Sequence, residues 1–225
     1  MIVWPEVPQW RSGGTMSMPA SSVALLPRPL ACPPAGTTIA ILGDSHVAGS
    51  RMGGSGAAFG SVIEQTLGNR VNVTSHGIGG ATALDGEQSW RERDLPQADV
   101  VMLAYGTNDA APRGWLSDKT PVPLTDFKAS LTRQIASWHA RGKDVVLLAP
   151  PPGGSRAMAE RIAPYRRAVS EAARASGAAV HDPADAFASC PADQPVLTRD
   201  ALHLNGAGHK CLGIWLAHQF CPPPR

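Results

Sequence analysis

Residues 37–46 of the chain, TTIAILGDSH, join an apolar run to a turn that carries Gly43, Asp44 and Ser45. The apolar run at 38–42 predicts a β-strand, so Ser45 follows a strand directly. A serine hydroxyl at such a turn becomes a nucleophile only when a base and hydrogen-bond donors lie beside it. The role of Ser45 therefore depends on groups elsewhere in the chain.

The composition describes an ordinary globular protein. Its 225 residues are 43% hydrophobic and 17% charged, which fits one domain with a core of its own. A formal charge of +2 creates no strong field for nucleic acid or an anionic membrane, which favours a small or neutral substrate. The sequence also lacks the roughly 18 consecutive apolar residues that a membrane-spanning helix needs.

Residues 1–36 are rich in proline, and they predict an irregular N-terminal segment ahead of a domain at 37–225. The apolar stretch at 23–26 is too short for a secretory signal and is followed at once by Pro27. The compartment stays open between the cytoplasm and a secreted or periplasmic location.

From residue 37 onward, strand patterns alternate with helix patterns, the latter marked by apolar residues at three- and four-residue steps. This alternation predicts helical crossovers between parallel strands, and hence an α/β fold: a three-layer αβα sandwich with about five parallel strands. The predicted strands are 38–42, 71–75, 99–105, 144–149 and 178–181. The predicted helices are 57–67, 84–93, 124–138, 158–172 and 207–220, with a loop at 106–123.

The carboxyl ends of parallel strands meet at one edge of a sheet, where ligands gather. Ser45 follows the first predicted strand, Gly80 the second and Asn108 the third, while Asp200 and His203 precede the last helix. These five residues are therefore predicted to share one site.

Their chemistry fits acyl transfer, which needs a base for the serine and donors for the developing oxyanion. In the run DALH at 200–203, a turn lets the aspartate reach Nδ1 of the histidine and leaves Nε2 facing outward. The candidate oxyanion donors are the backbone N–H groups of Ser45 and Gly80 and the side-chain amide of Asn108. Glycine at position 80 lets a substrate approach the backbone closely.

Four sequence blocks, in this order, resemble the SGNH (GDSL-type) hydrolase family. They are GDS at 43–45, GIGGAT at 77–82, GTND at 106–109 and DALHLNGAG at 200–208. The resemblance covers about residues 37–220 and implies the flavodoxin-like αβα fold of that family. It implies no metal and no organic cofactor.

The resemblance also implies roles for individual residues. Ser45 would be the nucleophile and first oxyanion donor, Gly80 and Asn108 further donors, and Asp200 with His203 the acid-base pair.

Two positions depart from the family pattern: His46 stands where Leu is usual, and Ser75 where Asn is frequent. His46 is a second candidate base, but adjacent residues of an extended chain point away from each other. This favours a place for His46 behind the nucleophile turn or in solvent. The run GGSGA at 53–57 nearly matches the nucleophile elbow G-x-S-x-G, but it does not follow a strand, which favours a loop that opens the first helix.

Several other side chains are candidates for the pocket or for packing. Trp90, Trp115 and the prolines at 150–152 either shape the substrate pocket or pack beneath it, and His76 either lines the site or lies at the surface. Asp109 is predicted to brace the loop that holds Asn108. The remaining histidines, predicted to be structural or exposed, are His139, His181, His209 and His218.

The four cysteines, Cys32, Cys190, Cys211 and Cys221, allow three pairings. A disulfide that ties down the C-terminal end is one arrangement open to them in an oxidising compartment. The helical spacing of Cys211 with apolar neighbours favours a buried free thiol. No Cys/His spacing in the sequence suggests zinc.

The pattern as a whole predicts a serine esterase that hydrolyses a small-molecule ester through an acyl-enzyme. Short acyl groups, such as acetyl on a carbohydrate or small alcohol, are favoured because the sequence has no long apolar lid segment. An acyltransferase, thioesterase or lysophospholipase of the same fold is the alternative, since all of them activate a nucleophile in the same way. A non-catalytic carbohydrate-binding domain is a third hypothesis, disfavoured by the intact Ser45, Asn108, Asp200 and His203.

Overall fold

The computed structural model describes residues 32–92, 97–111 and 120–223, which fold around a parallel sheet. The strands are β1 Thr37–Gly43, β2 Val71–Gly77, β3 Val100–Ala104, β4 Asp144–Leu148 and β5 Ala179–His181. Their order is β2-β1-β3-β4-β5, and every neighbouring pair is parallel. The predicted five-stranded parallel sheet is confirmed.

Helices cover both faces of this sheet. Within the described residues they are α1 Phe59–Leu67, α2 Ala83–Glu92, α3 Thr107–Ala110, α4 Leu124–His139, α5 Arg156–Ser176, α6 Pro183–Ala188 and α7 Gly206–Phe220. Helices α1, α6 and α7 pack on one face, and α2, α4 and α5 on the other. The three-layer αβα sandwich is therefore confirmed.

Strand β1 is buried on both sides, because successive side chains of a strand point to opposite faces. Ile39 and Ile41 belong to the cluster that contains Phe59 of α1 and Leu212 of α7. Leu42 belongs to the opposite cluster, with Phe127 of α4. Each fully buried side chain of this kind contributes roughly 1.5–3 kcal/mol. The turn after β1 is thus anchored by two cores.

Two short helices were not predicted. Helix α3 lies inside the expected loop 106–123, and α6 follows β5. Both are too short to show an apolar period, although α6 carries local signals: Pro183 is its first residue, and Asp182 accepts a hydrogen bond from the Ala184 N–H at 2.8 Å. The last three residues of the near-elbow run, Ser55–Ala57, form a 3₁₀ turn in the loop that leads into α1.

The cysteines form two disulfides, Cys32–Cys221 and Cys190–Cys211. The prediction of a free thiol at Cys211 is wrong. Cys211 lies on α7 where that helix passes the residues after α6, and its Cα is 6.0 Å from that of Cys190. The helical spacing predicted correctly that Cys211 lies on an inward face of α7. It could not show that this face packs against the segment that carries Cys190.

Residues 1–31 of the predicted N-terminal segment, and Trp115, lie outside the described residues, so the boundary at 36/37 stays a prediction. Among the residues that the structure does describe, no helix is both long and apolar enough to cross a membrane.

Candidate active site

Ser45 lies in the turn at the carboxyl end of β1. Gly43 brings this turn close to β3: a Cβ built on it would lie 2.5 Å from the carbonyl oxygen of Ala104, so any larger residue would displace the turn. The Ser50 N–H donates to the carbonyl of Ser45 at 3.0 Å and folds the following loop back on it. The Ser45 side chain is thereby held at the sheet edge.

His203 lies in the loop that precedes α7. The Thr198 N–H donates to the carbonyl of His203 at 2.8 Å, beside an antiparallel β-bridge within the same loop. Asn205 caps α7 by accepting a hydrogen bond from the Gly208 N–H at 2.9 Å. The loop is therefore fixed on both sides of His203.

The side chains of Ser45, His203 and Asp200 form a continuous hydrogen-bonded series. His203 Nε2 lies 3.1 Å from Ser45 Oγ, and His203 Nδ1 lies 2.9 Å from Asp200 Oδ2. Because an ionised carboxylate only accepts hydrogen bonds, Nδ1 carries the ring proton and Nε2 is left to accept from the serine. A serine activated by a histidine base requires this arrangement.

The Asp200 carboxylate accepts several more hydrogen bonds. Its Oδ1 accepts from the Thr198 hydroxyl at 2.5 Å and from the backbone N–H groups of Leu202 and His203 at 3.0 Å. Burial alone would raise the pKa of Asp200, but these hydrogen bonds and that of the His203 ring outweigh it and hold the pKa below its usual range. The carboxylate therefore stays ionised and can stabilise a protonated imidazole.

Gly80 and Asn108 line the same cavity as Ser45 and His203. Gly80 has a φ of 79°, in the left-handed region that favours glycine. Asn108 is buried in α3, and its Nδ2 donates one hydrogen to the carbonyl of Ala81 at 3.0 Å, which leaves a second amide hydrogen. Within the described ranges, the N–H groups of Ser45 and Gly80 donate to no protein acceptor. Four of the five predicted site residues thus line one cavity, and the fifth, Asp200, is hydrogen-bonded to His203 at 2.9 Å.

The cavity around Ser45 has a volume of about 830 Å³. Its described lining residues are Ser45, Ser50, Arg51, Ile78, Gly79, Gly80, Ala81, Asp85, Asn108, Leu202 and His203. Another cavity, of about 770 Å³, lies at the amino ends of the strands near Gly36 and Asp144, and none of the predicted site residues lines it. The carboxyl-end cavity is therefore the candidate active site.

Asp44 and His46 form a buried layer behind Ser45. The His46 N–H donates to Asp44 Oδ1 at 2.9 Å, and neither ring nitrogen of His46 has a hydrogen-bond partner within the described residues. Burial lowers the pKa of His46 to about 3 and raises that of Asp44 to about 6. His46 thus lies behind the nucleophile turn, as the sequence favoured, and its ring stays neutral.

Asp109 is fully buried and links α3 to α2. Both of its carboxylate oxygens accept from the Ala83 N–H, at 3.1 and 3.2 Å. Burial raises the pKa of Asp109 to about 7. Since Asn108 is the preceding residue, this contact braces it, as predicted.

Trp90 does not line the described cavity. It is buried on the inner face of α2, where its Nε1 donates to the Tyr105 hydroxyl at 2.6 Å. The ring of half-buried His76 packs edge-on against it, with centroids 5.8 Å apart. Of the two roles left open for Trp90, the structure shows packing; α2 is too weakly patterned in sequence to show which face it buries.

Pro150 and Pro151 also pack beneath the site, beside Asp44 and His46, and they are absent from the described lining of the cavity around Ser45. The four remaining histidines lie outside that lining, as expected: His139 and His218 are exposed, and His181 and His209 are packed against aromatic rings.

Two residues around Asp200 were missed at the level of sequence. Thr198 precedes Asp200 by two positions, and a threonine so close in sequence to an aspartate could have predicted a hydrogen bond between their side chains. Arg51 places Nε 3.1 Å from Asp200 Oδ2. Arg51 belongs to a glycine-rich loop distant in sequence, and no motif marks it.

Within the described residues, no group of three or more His, Cys, Asp or Glu side chains is arranged to hold a metal ion.

A parallel αβα sandwich with serine, imidazole and carboxylate at its carboxyl edge has the architecture of a hydrolase. The profile of the GDSL-like Lipase/Acylhydrolase family matches residues 41–211, and the chain belongs to this family of esterases and acylhydrolases. A comparison with curated proteins found no significant match.

Solved structures of the same fold accompany this match. A putative lipolytic protein of the G-D-S-L family from Desulfitobacterium hafniense DCB-2 is 21% identical with a TM-score of 0.67, over 82% of this chain and 99% of that one. An acetylxylan esterase from Geobacillus stearothermophilus is 21% identical with a TM-score of 0.71, over 84% and 96%. A lipase/acylhydrolase from Enterococcus faecalis is 23% identical with a TM-score of 0.68, over 81% and 94%.

Proposed function

We propose that the chain is a serine esterase that forms and hydrolyses an acyl-enzyme on Ser45. The observation that carries this proposal is the hydrogen-bonded series from Ser45 Oγ through His203 to Asp200, at 3.1 and 2.9 Å. His203 Nε2 takes the serine proton while Oγ bonds to the ester carbonyl carbon, and it gives the proton to the alkoxide as the ester bond breaks. In the second half, His203 takes a proton from water, the resulting hydroxide attacks the acyl carbon, and the proton returns to Ser45 Oγ.

The negative charge on the carbonyl oxygen needs donors that are already in place. We assign this role to the N–H groups of Ser45 and Gly80 and to the free amide hydrogen of Asn108. All three residues line the same cavity as His203. Asp200 keeps Nδ1 of the ring protonated and stabilises the imidazolium that forms in each half-reaction.

A short acyl group on a polar alcohol is the substrate we favour. The apolar side chains among the described lining residues are those of Ile78, Ala81 and Leu202, too few for a long acyl chain. The polar side chains of Ser50 and Asp85 in the same lining suit a hydroxylated alcohol. The fold is shared with an acetylxylan esterase, which is in keeping with an acetylated glycan.

The proposal is tested by turnover of p-nitrophenyl acetate, butyrate and octanoate and of acetylated xylo-oligosaccharides, with wild-type protein and Ser45→Ala. We expect highest kcat/KM for acetyl esters and loss of turnover in Ser45→Ala. Ser55→Ala is the matched control, since Ser55 belongs to the near-elbow turn, and it should keep wild-type activity. Full activity of folded Ser45→Ala would remove Ser45 as the nucleophile.

Product analysis decides between hydrolysis and acyl transfer. With an acetyl donor and an added xylo-oligosaccharide, we expect free acetate. Acetyl groups recovered mainly on the sugar would make the chain an acyltransferase.

A further inference from the structure

Arg51 brings a cation to the carboxylate that orients the proposed base. Its Nε lies 3.1 Å from Asp200 Oδ2, the same oxygen that accepts from His203 Nδ1 at 2.9 Å. The other oxygen, Oδ1, is already bound by the Thr198 hydroxyl and two backbone N–H groups. The oxygen that aligns the imidazole is thus shared between the ring and Arg51.

The backbone of Arg51 is held in an unfavourable conformation. Its φ is 69°, in the left-handed region that side chains with a Cβ rarely adopt. Residues in such conformations persist where the surrounding structure imposes them, and they cluster at functional sites. Two backbone hydrogen bonds hold the loop in this conformation: the Ser50 N–H donates to the Ser45 carbonyl and the Met52 N–H to the Gly49 carbonyl, both at 3.0 Å. The strained residue is therefore tied directly to the nucleophile turn.

Stability does not account for an arginine at this position. The Arg51 side chain is 63% exposed, and exposed ion pairs contribute little to folding. Glycine would fit the backbone better. An exposed, conformationally costly arginine that forms an ion pair with the carboxylate behind the proposed base is best explained by a role in the reaction.

We propose that Arg51 is a positioning residue that holds Asp200, and through it the His203 ring, in the orientation that Ser45 requires. This inference rests on the proposed esterase function and adds a residue to it. Because Arg51 acts through the carboxylate and not through the substrate, its removal changes kcat and leaves KM nearly unchanged.

The test compares Arg51→Ala, Arg51→Lys and Arg51→Gly with wild-type protein, using p-nitrophenyl acetate. Loss of an ion pair that is partly open to solvent predicts a roughly 5-fold lower kcat in the alanine variant, with KM within about twofold. Lysine should restore part of the rate. Glycine should keep or raise the Tm while kcat falls as in alanine, a combination that a merely structural role would not produce.

Arg156→Ala is the matched control, because Arg156 is 92% exposed and forms an ion pair with Glu160 on α5, outside the described lining of the cavity. It should leave kcat and KM unchanged. Wild-type kcat in Arg51→Ala, or a raised KM with unchanged kcat, would overturn the proposal; the second result would mean that Arg51 binds substrate.

A readout independent of turnover separates this inference from the esterase proposal. The ¹⁵N resonances of the His203 ring, assigned with His203→Gln, should shift in Arg51→Ala and stay in place in Arg156→Ala. If wild-type protein hydrolyses none of the esters, the proposed function fails. Unshifted ring resonances in Arg51→Ala contradict the positioning role itself.

Discussion

The imidazole rings of His46 and His203 lie 5.7 Å apart between centroids, yet only the His203 ring is hydrogen-bonded to Ser45. His46 follows the serine in sequence and is 4% exposed, and its two ring nitrogens have no partner within the described residues. Burial keeps its pKa near 3, so the ring is neutral where an esterase works. His46 thus fills space behind the site.

The His46→Leu variant should keep kcat/KM within about threefold of wild type, because it removes two unpaired buried nitrogens and keeps an apolar side chain. A loss of more than about 100-fold would instead point to His46 as a proton-transfer group. Ester turnover and Tm, measured on the same preparation, distinguish lost chemistry from lost folding.

The same variant should be less sensitive to acid. The pKa of His46 is about 3 in the folded protein and near 6.5 when unfolded, so between these values the unfolded state binds more protons. Wild-type stability therefore falls as pH decreases from 6.5 towards 3, by up to about 1.4 kcal/mol per pH unit from this group. Urea unfolding at pH 7.5 and 5 should show a smaller decrease for His46→Leu; equal decreases would contradict the assignment.

Asp109 should have the opposite pH dependence. Its pKa is raised to about 7 by burial, so between about pH 4 and 7 the folded state holds the proton more tightly and stability falls as pH rises. Asp109→Asn cannot ionise and should lose less stability than wild type between pH 5 and 8 in urea unfolding. Asp44, with a pKa of about 6, titrates in both proteins, and its charge adds to the raised pKa of Asp109. A parallel pH dependence of the two proteins would show that Asp109 does not titrate in this window.

Asn108→Ala should lower kcat by about 10²-fold, the usual cost of one oxyanion donor. Asn72→Ala is the control, because Asn72 is exposed on β2. Since Asn108 also bonds the Ala81 carbonyl, the Tm of each variant is measured with its rates. A kcat within about threefold of wild type would remove Asn108 from the oxyanion site.

The two disulfides should affect activity differently. Cys190–Cys211 closes the segment that carries Asp200 and His203, and its replacement by two alanines should lower Tm and also kcat at 20 °C, a temperature at which the variant is still folded. The typical cost in stability is about 2–4 kcal/mol. Cys32–Cys221 lies beside the opposite cavity, so its replacement should lower Tm and leave kcat unchanged. Equal kcat values in the two double variants would contradict a constraint on the Asp200–His203 segment.

The strands and the long helices could be predicted from the sequence because they depend on the local order of apolar residues. Contacts between elements far apart in the chain could not. Apolar runs and helical periods were enough for the five strands, and the ends of three of them brought Ser45, Gly80 and Asn108 to one edge. Helix α6 is shorter than a reliable period, and the disulfide partner of Cys211 depends on how α6 and α7 pack. The ion pair of Arg51 with Asp200 could not be predicted for the same reason, because it depends on how two loops far apart in the chain pack together.

The most direct test of the account is covalent labelling of the nucleophile. A serine-directed phosphonate, followed by peptide mass spectrometry, should place one adduct on Ser45 in wild-type protein and none in Ser45→Ala. Labelling should be much slower in His203→Ala, because the base is missing. An adduct on another serine, or no adduct on folded wild-type protein, would contradict Ser45 as the nucleophile.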